Sequence, residues 1–469
     1  MLIIGGGPAG ISAAVPLAEE GYHVELLEKR PLLGGRASSH LDQESGLRVD
    51  ECQHGTMRCC TTLSNLLSRL GVDDQIYYHN AIRFLDAQGK RSVIQGCGLP
   101  APLHTSFSFL VFRSLGIRDK LSIARAMLAM LAANKSPDLE NTDIGTWFGR
   151  MKQTDRAVSR FWAPILVSAC NETIDRISCT HGFKIFRDGF LLNAKAFEFG
   201  VPSVPLATLY SDSAQGYLAE RQCNVRTRAT VERLLVDPED CNRIAGVVLQ
   251  GGEMLTADYY VSALQSDLLL KMLPQKVRSG ADYWQKIENI ELSPILGIHI
   301  WFDRTLDAPA ALATLDRETE WIFNKDQNYS AHAGGGTYLS AVISASRRYA
   351  DVPNATILEL VLADVRACIP EAAAANVVKS KVIKWPKATF SPLPGVEAFR
   401  PDQRSPISNL YVAGEWTQTG WPSTMESAVR SGYRTAEYIL AADGIKMSIV
   451  PPGLKVGLLA KALSRSWPD

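Results

Sequence analysis

A glycine-rich turn close to the first residue constrains the fold more than any other feature of this 469-residue chain. The apolar run Met1–Ile4 leads into Gly5, Gly7 and Gly10, which have the spacing G-x-G-x-x-G, and a helix-forming segment follows as far as Gly21. In a strand–turn–helix unit the first glycine permits a tight turn, the second lets a pyrophosphate approach the backbone, and the third lets the helix pack on the strand. The spacing therefore predicts a parallel α/β unit that binds a dinucleotide.

The residues around this turn support the same prediction. Pro8 and Ala9 open the helix, whose amino terminus would face the phosphates. His23–Glu28 is predicted as a second strand, and its last residue lies 18 positions after Gly10. An acid at about that distance accepts hydrogen bonds from a ribose 2′-hydroxyl. Glu28 is therefore a candidate cofactor-binding residue.

Composition excludes several classes of protein. The chain has 49 basic and 49 acidic residues, so it lacks the positive field that attracts nucleic acid, and we expect no nucleic-acid partner. Its 9 cysteines are an odd number, and no secretory signal opens the sequence, so we expect reduced thiols and a cytoplasmic protein. No window reaches the roughly 18 apolar residues of a membrane-spanning helix.

A cluster of reactive side chains follows the second strand. Three cysteines, a histidine and two acids occur between Val49 and Cys60. The spacing of Cys52 and Cys59 is not that of a zinc knuckle, and no second Cys/His pair follows at the distance a zinc site needs. We therefore expect no metal here, and interpret the segment as one wall of the cofactor pocket.

Two distant segments resemble one flavoprotein family, that of the amine oxidases, protoporphyrinogen oxidases and phytoene desaturases. Gly34-Gly35-Arg36-Ala37 follows Glu28 closely, as the family's glycine–arginine turn does. Asn409–Trp416 is predicted as a strand leading into Gly414-Glu415, and a helix is predicted to start at Ser423 or Thr424. The resemblance implies FAD as the cofactor, and it implies that FAD contacts Gly35, Arg36, Gly414, Glu415, the backbone near Met425 and, at the adenine, the backbone of Val231.

The resemblance also implies the fold class and the division into domains. We expect an α/β protein with a Rossmann-like FAD-binding domain of the glutathione-reductase/amine-oxidase type and a discontinuous α+β substrate domain. The FAD-binding domain is expected to comprise residues 1–95, 215–285 and 395–445. The substrate domain is expected to comprise residues 96–214 and 286–394 and to enclose an apolar-walled cavity.

Three further segments are similar to the hydroxysqualene dehydroxylases, which are squalene-associated FAD oxidoreductases. They are Phe161–Glu172, Lys184–Leu191 and Gly200–Leu206. The resemblance implies a hydrophobic isoprenoid substrate and the replacement of an allylic hydroxyl by hydrogen, with a hydride from reduced flavin. It also implies an external electron donor, since no second nucleotide-binding motif is apparent.

That reaction needs an acid to protonate the leaving hydroxyl. His54 and Asp50 are the candidate catalytic residues, because a histidine is readily protonated near neutral pH and both follow the flavin-contacting glycines closely. The alternative is that His54 and Gln53 only form hydrogen bonds to flavin or backbone.

The segment 446–469 lies beyond the flavoprotein motifs. From Gly453 to Trp467 its apolar side chains recur at helical spacing opposite Lys461 and Arg465, which predicts a basic amphipathic helix. Such a helix can lie at the inner face of the cytoplasmic membrane, and packing on the protein's own surface is the alternative.

Two other functions share the glycine motifs. One is a carotenoid-type desaturase or another amine-oxidase-like oxidase, in which hydride passes from the substrate to the flavin. The other is a non-catalytic escort protein that binds prenyl lipid without using flavin. The intact glycines, Arg36 and Glu415 argue against the escort protein.

Overall fold

The computed structural model describes residues 1–43, 46–328 and 335–465. The strands in these residues are β1 (Leu2–Ile4), β2 (Glu25–Glu28), β3 (Ser39–Leu41), β4 (Arg48–Asp50), β5 (Thr56–Met57), β6 (Ile76–His79), β7 (Ala81–Leu85), β8 (Arg91–Gln95), β9 (Phe199–Pro202), β10 (Asn224–Thr227), β11 (Val231–Val236), β12 (Ile244–Leu249), β13 (Met254–Leu255), β14 (Tyr260–Ser262), β15 (Leu292–Phe302), β16 (Ala311–Thr314), β17 (Trp321–Asn324), β18 (Thr337–Ile343), β19 (Val377–Phe390) and β20 (Leu410–Val412).

The α-helices in the same residues are α1 (Pro8–Glu19), α2 (Thr61–Arg69), α3 (Ser106–Leu110), α4 (Ile117–Ala132), α5 (Pro137–Glu140), α6 (Ile144–Arg150), α7 (Asp155–Ala157), α8 (Ala163–Cys170), α9 (Cys179–Phe186), α10 (Ser213–Glu220), α11 (Ser266–Met272), α12 (Gln275–Ser279), α13 (Asp282–Glu288), α14 (Lys325–Asn328), α15 (Asn354–Cys368), α16 (Met425–Ala442) and α17 (Leu458–Leu463).

A five-stranded parallel sheet holds the glycine motifs. Its strand order is β10-β2-β1-β14-β20, and every neighbouring pair is parallel. The central strand β1 is fully buried, as its apolar sequence requires, because helices and strands cover both faces of the sheet. The helices α1, α2, α10 and α16 pack on one face, while the meander β11–β13 and the helices α11 and α13 pack on the other. The predicted strand–turn–helix unit is therefore present, although β2 begins at Glu25 rather than at His23.

A seven-stranded sheet dominates the rest of the molecule. Its order is β19-β15-β18-β17-β16-β7-β8, and all its pairs are antiparallel except β16 with β7. The helix α15 covers one face, and an aromatic-rich cluster that includes α4, α6, α8 and α9 covers the other. The sequence predicted that residues 1–95 belong to the FAD-binding domain, but β7 and β8, which lie within this range, are strands of the second sheet.

The described residues contain three π-helical turns, two beside the second sheet and one that leads into α10 on the parallel sheet. They are Val158–Trp162, Arg187–Leu191 and Thr208–Asp212, each continuous with an α-helix. Such turns are rare and occur frequently at functional sites. Two of them fall in or beside the segments Phe161–Glu172 and Lys184–Leu191.

The carboxy-terminal tail differs from the predicted amphipathic helix. Only Leu458–Leu463 is helical, and Gly457 and Arg465 donate backbone hydrogen bonds to Leu192 and Leu131 at 2.8 and 3.0 Å. The buried Arg187 also donates to the carbonyl of Arg465 at 2.6 Å, so distant residues hold the chain on both sides of this short helix. Trp467, which was placed on the apolar face, lies outside the described residues.

Candidate functional site

The first glycine turn has the geometry of a phosphate cradle. Gly5 has a φ of +106°, and a Cβ atom on Gly10 would lie 1.9 Å from the Gly5 carbonyl oxygen, so the helix α1 packs directly on the turn. Pro8 occupies the first position of α1 and Ala9 follows it, which directs the helix amino terminus at the space in front of Gly7. A side chain at Gly5 or Gly10 would close this cradle.

Glu28 lies at the edge of the cradle. Its Oε2 atom accepts a hydrogen bond from the Gly6 amide at 2.9 Å, and its Oε1 atom accepts one from the Arg30 amide at 2.8 Å. The amide of Ala229 donates to the Glu28 carbonyl at 2.9 Å, which brings the start of β11, at Val231, next to the end of β2. The structure thus brings Glu28 and Val231 to the same edge of the parallel sheet.

The second glycine turn faces the first. Gly34 donates its amide to the Gly6 carbonyl at 2.8 Å, and a Cβ atom on Gly35 would lie 3.1 Å from the Cα atom of Gly7. Both Gly34 and Gly35 have positive φ values, of +103° and +56°, which glycine adopts without strain. The two turns meet through their backbones, with the Glu28 carboxylate at their edge, and such glycine-lined backbone suits the diphosphate of a cofactor.

Arg36 connects these turns to the far end of the chain. Its Nη2 atom lies 2.6 Å from Oε2 of the buried Glu415, and its Nη1 atom donates to the carbonyl of Ala388. Gly414, just before Glu415, donates its amide to the Ser431 hydroxyl at 2.8 Å. The predicted residues of the two distant motifs therefore meet in one place.

The helix α16 begins beside this meeting point. Thr424 is its N-cap, and the Thr424 hydroxyl oxygen accepts a hydrogen bond from the Ser427 amide at 3.2 Å, as the sequence predicted. Met425 is the first helical residue, and its sulfur accepts a hydrogen bond from the Tyr210 hydroxyl at 3.2 Å. The positive end of the helix dipole is thus directed at the place where the glycine turns converge.

The segment 50–54 is held by a buried ion pair. Asp50 Oδ2 lies 2.8 Å from Nζ of Lys325, and both side chains are almost completely buried. The same ammonium group donates to Oε1 of Gln53 at 2.8 Å, while Asp50 Oδ1 accepts from the Ser39 hydroxyl at 2.8 Å and the Leu206 amide at 2.9 Å. Burial by itself would raise the pKa of Asp50, but the charge and hydrogen bond of Lys325 hold that pKa below its ordinary value. Asp50 is therefore ionised and does not fit the predicted role of proton donor.

The hydrogen bond of His54 fixes the tautomer of its neutral imidazole. Its Nδ1 atom lies 3.0 Å from the carbonyl oxygen of Cys52, which can only accept, so Nδ1 carries the proton and Nε2 carries the lone pair. Burial lowers the pKa of His54, and the hydrogen bond to Cys52 offsets only part of that effect. The side chain is thus prepared to accept a proton, which is the reverse of the predicted acid role.

Cys52 and Cys59, on either side of His54, are held in a buried environment. Burial raises the pKa of Cys52 to about 12, and the hydrogen bond with Cys60, together with burial, raises that of Cys59 well above its ordinary value. Both are thiols rather than thiolates near neutral pH. Across residues 1–43, 46–328 and 335–465, no group of three or more His, Cys, Asp or Glu side chains is placed to hold a metal ion.

An aromatic interior adjoins the segment of His54. A Cβ atom on Gly55 would lie 2.3 Å from the ring of Phe199, which stacks on Trp321. Cys52 itself belongs to the large cluster between the second sheet and its helices, in which Phe161, Trp162, Phe183, Phe186 and Phe190 also lie. This interior is dry and apolar, and it begins where the cofactor segment ends.

A cavity of about 340 Å³ lies beside the first turns of α2 and α16. Thr61 and Arg430 line one side, and Lys184, Arg187 and Asp188 line another. Lys184 and Asp188 are paired at 2.8 Å. The lining is more charged than that of the apolar cavity we predicted for the substrate domain, because the aromatic side chains pack on one another instead of facing an open space.

Sequence reasoning missed two buried charged residues at this site. Lys325 follows the strand β17 and anchors Asp50 and Gln53, although a lone lysine in a sequence normally indicates a solvated surface. Glu426 accepts hydrogen bonds from the amides of Thr62 and Leu63 at 3.1 and 2.8 Å and so caps α2, and burial raises its pKa. The only sequence signal for Glu426 was its position in the first turn of a predicted helix that faces the cofactor.

Comparison with known proteins gives a consistent result. The model of the family described as flavin containing amine oxidoreductase matches residues 8–440. A zeta-carotene desaturase of Synechocystis sp. is 26% identical over 474 residues, which cover 94% of this chain and 96% of the relative. A 15-cis-phytoene desaturase of Narcissus pseudonarcissus is 25% identical over 461 residues, which cover 94% of this chain and 79% of the relative.

Solved structures agree on the fold. An oxidoreductase from Methanosarcina mazei superposes with a TM-score of 0.69 at 16% identity, covering 92% of this chain and 98% of the other. Cyclohexylamine oxidase from Brevibacterium oxydans superposes with a TM-score of 0.65 at 18% identity, covering 94% and 99% of the two chains. At such identities the likeness concerns the fold alone, and it confirms the predicted α/β architecture.

Proposed function

The chain belongs to the family of flavin-containing amine oxidoreductases, and we propose that it desaturates a long apolar isoprenoid of the carotenoid type. It is an FAD-dependent oxidoreductase, as the sequence predicted, and not a non-catalytic escort protein. The two facing glycine turns, Arg36 and the start of α16 are the residues that would hold the cofactor. The relatives with carotenoid-desaturase names support this choice of substrate class over hydroxysqualene.

The relatives named as carotenoid desaturases carry the choice of substrate class, and the tautomer of His54 supports the direction of the reaction. Desaturation removes a hydride from one carbon and a proton from its neighbour, so that a carbon–carbon double bond forms between them. When bound, FAD supplies the two-electron acceptor for the hydride. His54, neutral with its lone pair on Nε2, is suited to receive the proton.

The surrounding residues position this base. The ion pair of Asp50 and Lys325 fixes the backbone before His54, and Gln53 is tied to the same lysine. The carbonyl of Cys52 fixes the tautomer. The packed aromatic side chains of Phe199 and Trp321 form an apolar wall beside this segment.

Repeated turnover requires an external electron carrier. In the desaturating direction this carrier accepts electrons, whereas the sequence prediction of a dehydroxylation required a donor.

Reductive dehydroxylation of hydroxysqualene is the second candidate. The similarity of Phe161–Glu172, Lys184–Leu191 and Gly200–Leu206 to the hydroxysqualene dehydroxylases supports it. The reaction needs a proton donor for the leaving hydroxyl, and neither predicted donor suits that task. Asp50 is ionised beside Lys325, and burial keeps His54 neutral. We therefore rank this reaction second.

The two candidates differ in the direction of electron flow, which flavin absorbance reports. Oxidised enzyme would be mixed anaerobically with phytoene or zeta-carotene in detergent micelles, and photoreduced enzyme with hydroxysqualene. We expect the first mixture to bleach the flavin and to give a product two hydrogens lighter. Reoxidation of reduced flavin with formation of squalene, and no bleaching by the carotenes, would instead establish the second candidate.

The role of His54 is tested by pH dependence. As a base, His54 is active only when deprotonated, so kcat should fall as pH decreases through a value below the ordinary pKa of 6.5. His54→Gln should lower kcat by roughly 10²- to 10⁴-fold and abolish this acid limb, while flavin content is retained. His23→Gln, which changes an exposed histidine, serves as the control. An unchanged rate and pH profile in His54→Gln would refute the role of base.

A further inference from the structure

The helix α4 is apolar on two opposite sides. Its inner side packs Ile123, Ala126 and Met130 into the aromatic-rich cluster, where all three are buried. Its outer side exposes Ile117, Leu121 and Leu128, with exposed fractions of 78%, 67% and 54%. These three residues and the exposed Ala124 and Ala132 recur at helical spacing and form a single stripe along the helix. A globular protein ordinarily places polar side chains on such an outer stripe.

Neighbouring segments extend this stripe into a surface. The helix α3 and the residue after it expose Phe107, Leu110 and Val111, and the tail helix α17 exposes Leu458 and Leu463. Most of the exposed large hydrophobic residues in the described part of the chain lie in the segments 99–135 and 446–465. They are Leu99, Leu103, Phe107, Leu110, Val111, Ile117, Leu121, Leu128, Met447, Val456, Leu458 and Leu463. Exposed apolar groups that collect in this way mark an interaction site rather than a random surface.

The tail is fixed in place on α4, so the two segments form one surface. Arg187 donates to the carbonyls of Met130 and Leu131 at the end of α4, at 2.6 and 2.9 Å, and also to that of Arg465. Asn193 donates to the carbonyl of Lys455 at 2.8 Å. Ala460 of α17 is fully buried. We call the exposed and half-buried residues of 99–135 and 446–465 the α4–tail face.

The charge of the α4–tail face differs from that of the whole chain. The chain is neutral, with 49 basic and 49 acidic residues. The two segments of the face contain one acid, Asp119, which is buried and bonded to the Gly116 amide and the Thr154 hydroxyl. Their basic residues are Arg113, Arg118, Lys120, Arg125, Lys135, Lys446, Lys455, Lys461 and Arg465. The face thus combines apolar side chains with almost exclusively positive charge.

We infer that the α4–tail face lies on an anionic lipid bilayer. Leucine, isoleucine and phenylalanine side chains gain free energy when they enter the acyl boundary, and lysine and arginine side chains at their edges pair with anionic headgroups. In the described residues no helix is long and apolar enough to cross a membrane, so the contact we infer is made from one side. The inference extends the predicted membrane contact of the tail to α3 and α4, which supply most of the apolar residues.

The position of the face is consistent with delivery of a lipid to the candidate site. Lys135, Leu454 and Arg465, which belong to the face, also line the cavity of about 340 Å³ that reaches Thr61 and Arg430. The cavity therefore lies between the proposed membrane contact and the first turns of α2 and α16. The inference about membrane binding does not depend on which substrate the enzyme uses.

Co-sedimentation with vesicles tests the inference on the intact chain with FAD bound. The vesicles would be of phosphatidylcholine, with or without phosphatidylglycerol, at low and high salt. We expect the anionic vesicles to bind the protein at least about tenfold more strongly than the neutral ones, and salt to weaken the binding.

The double variant Ile117→Glu, Leu121→Glu places charge in the centre of the face without touching a buried residue. It should reduce binding to anionic vesicles by about tenfold or more, with an unchanged melting temperature and flavin spectrum. The matched control is Met254→Glu, Val378→Glu, which alters two residues exposed to 60% and 59% outside the face and should bind like the unaltered chain. Equal binding of both variants, or no binding of the unaltered chain to either vesicle, would overturn the inference. Self-association that Ile117→Glu, Leu121→Glu abolishes, in the absence of vesicle binding, would assign the face to a second copy of the chain instead.

Discussion

At the scale of single residues, the pairing of Asp50 with Lys325 has the largest consequence. These two residues are far apart in sequence, yet their side chains meet at 2.8 Å and are both nearly inaccessible to water. A buried ion pair contributes little net stability compared with apolar residues, but losing one partner leaves an uncompensated charge in the interior. The pair therefore determines where the segment before His54 lies.

Lys325→Met should reduce the free energy of unfolding by about 3–5 kcal/mol near neutral pH. In the native chain the pKa of Asp50 is depressed, so its contribution is present above the unfolded pKa and is lost as pH falls through the folded pKa. Without Lys325, burial would raise that pKa, so the variant should be less unstable in mild acid than at neutral pH. Urea unfolding at neutral pH and in mild acid, followed by tryptophan fluorescence, measures the free energy of unfolding of the variant and of the unaltered chain.

The double variant Asp50→Asn, Lys325→Met is the control for this prediction. It removes both charges, so it should lose less free energy of unfolding than Asp50→Asn and Lys325→Met lose together as single variants. Additive losses would mean that the two side chains do not interact in solution.

At the scale of elements, the contact of α1 with α16 holds the two halves of the cofactor motif together. Gly432 lies in α16 against the first turns of α1, where a Cβ atom would come within 2.3 Å of the Ala9 carbonyl oxygen and 2.1 Å of the Ser12 hydroxyl. The two helices approach closely only because this position lacks a side chain.

Gly432→Ala should force the helices apart, lower stability by about 3 kcal/mol or more, and reduce the bound flavin. Gly216→Ala is the matched control, since this exposed glycine in α10 has no atom within 4 Å of an added Cβ atom. Alanine there should stabilise the helix by up to about 1 kcal/mol. Flavin-to-protein absorbance ratios and melting temperatures of both variants test this prediction. Equal flavin content and equal melting temperatures in the two variants would contradict the proposed packing.

At the scale of the whole molecule, segments from the beginning and end of the chain build one cofactor site. Arg36 joins Glu415 and Ala388, so it ties the glycine turns to the carboxy-terminal motif and to the long strand β19 of the second sheet. Cofactor binding should therefore stabilise the entire chain rather than one part of it.

Saturating FAD should raise the melting temperature, since a ligand at 100 times its Kd adds about 2.7 kcal/mol to the folded state. Arg36→Met should weaken FAD binding and shrink this shift at a given FAD concentration. Arg404→Met removes an exposed ion pair with Asp402 and should leave the shift intact. A full shift in Arg36→Met would show that Arg36 has no part in holding FAD.

Local signals in the sequence were sufficient for the elements around the cofactor. The glycine spacing predicted the turn after β1, and Ser423 or Thr424 was predicted to start α16, because each depends on neighbouring residues alone. The tail was predicted wrongly for the same reason. Its helical periodicity is real, but the helix spans only Leu458–Leu463, and hydrogen bonds to distant residues such as Arg187 hold the chain beside it.

The sequence by itself determined the family, the FAD motifs and the kind of residue that lies beside the cofactor. Only the tertiary structure decided what those residues do. His54 and Asp50 were proposed as acids from their type, and the protonation of each depends on burial and on partners that the chain order does not reveal. Lys325 ionises Asp50 across 275 positions, and the Cys52 carbonyl and the surrounding protein keep His54 neutral. A pKa is a property of the environment, and the environment exists only once the chain has folded.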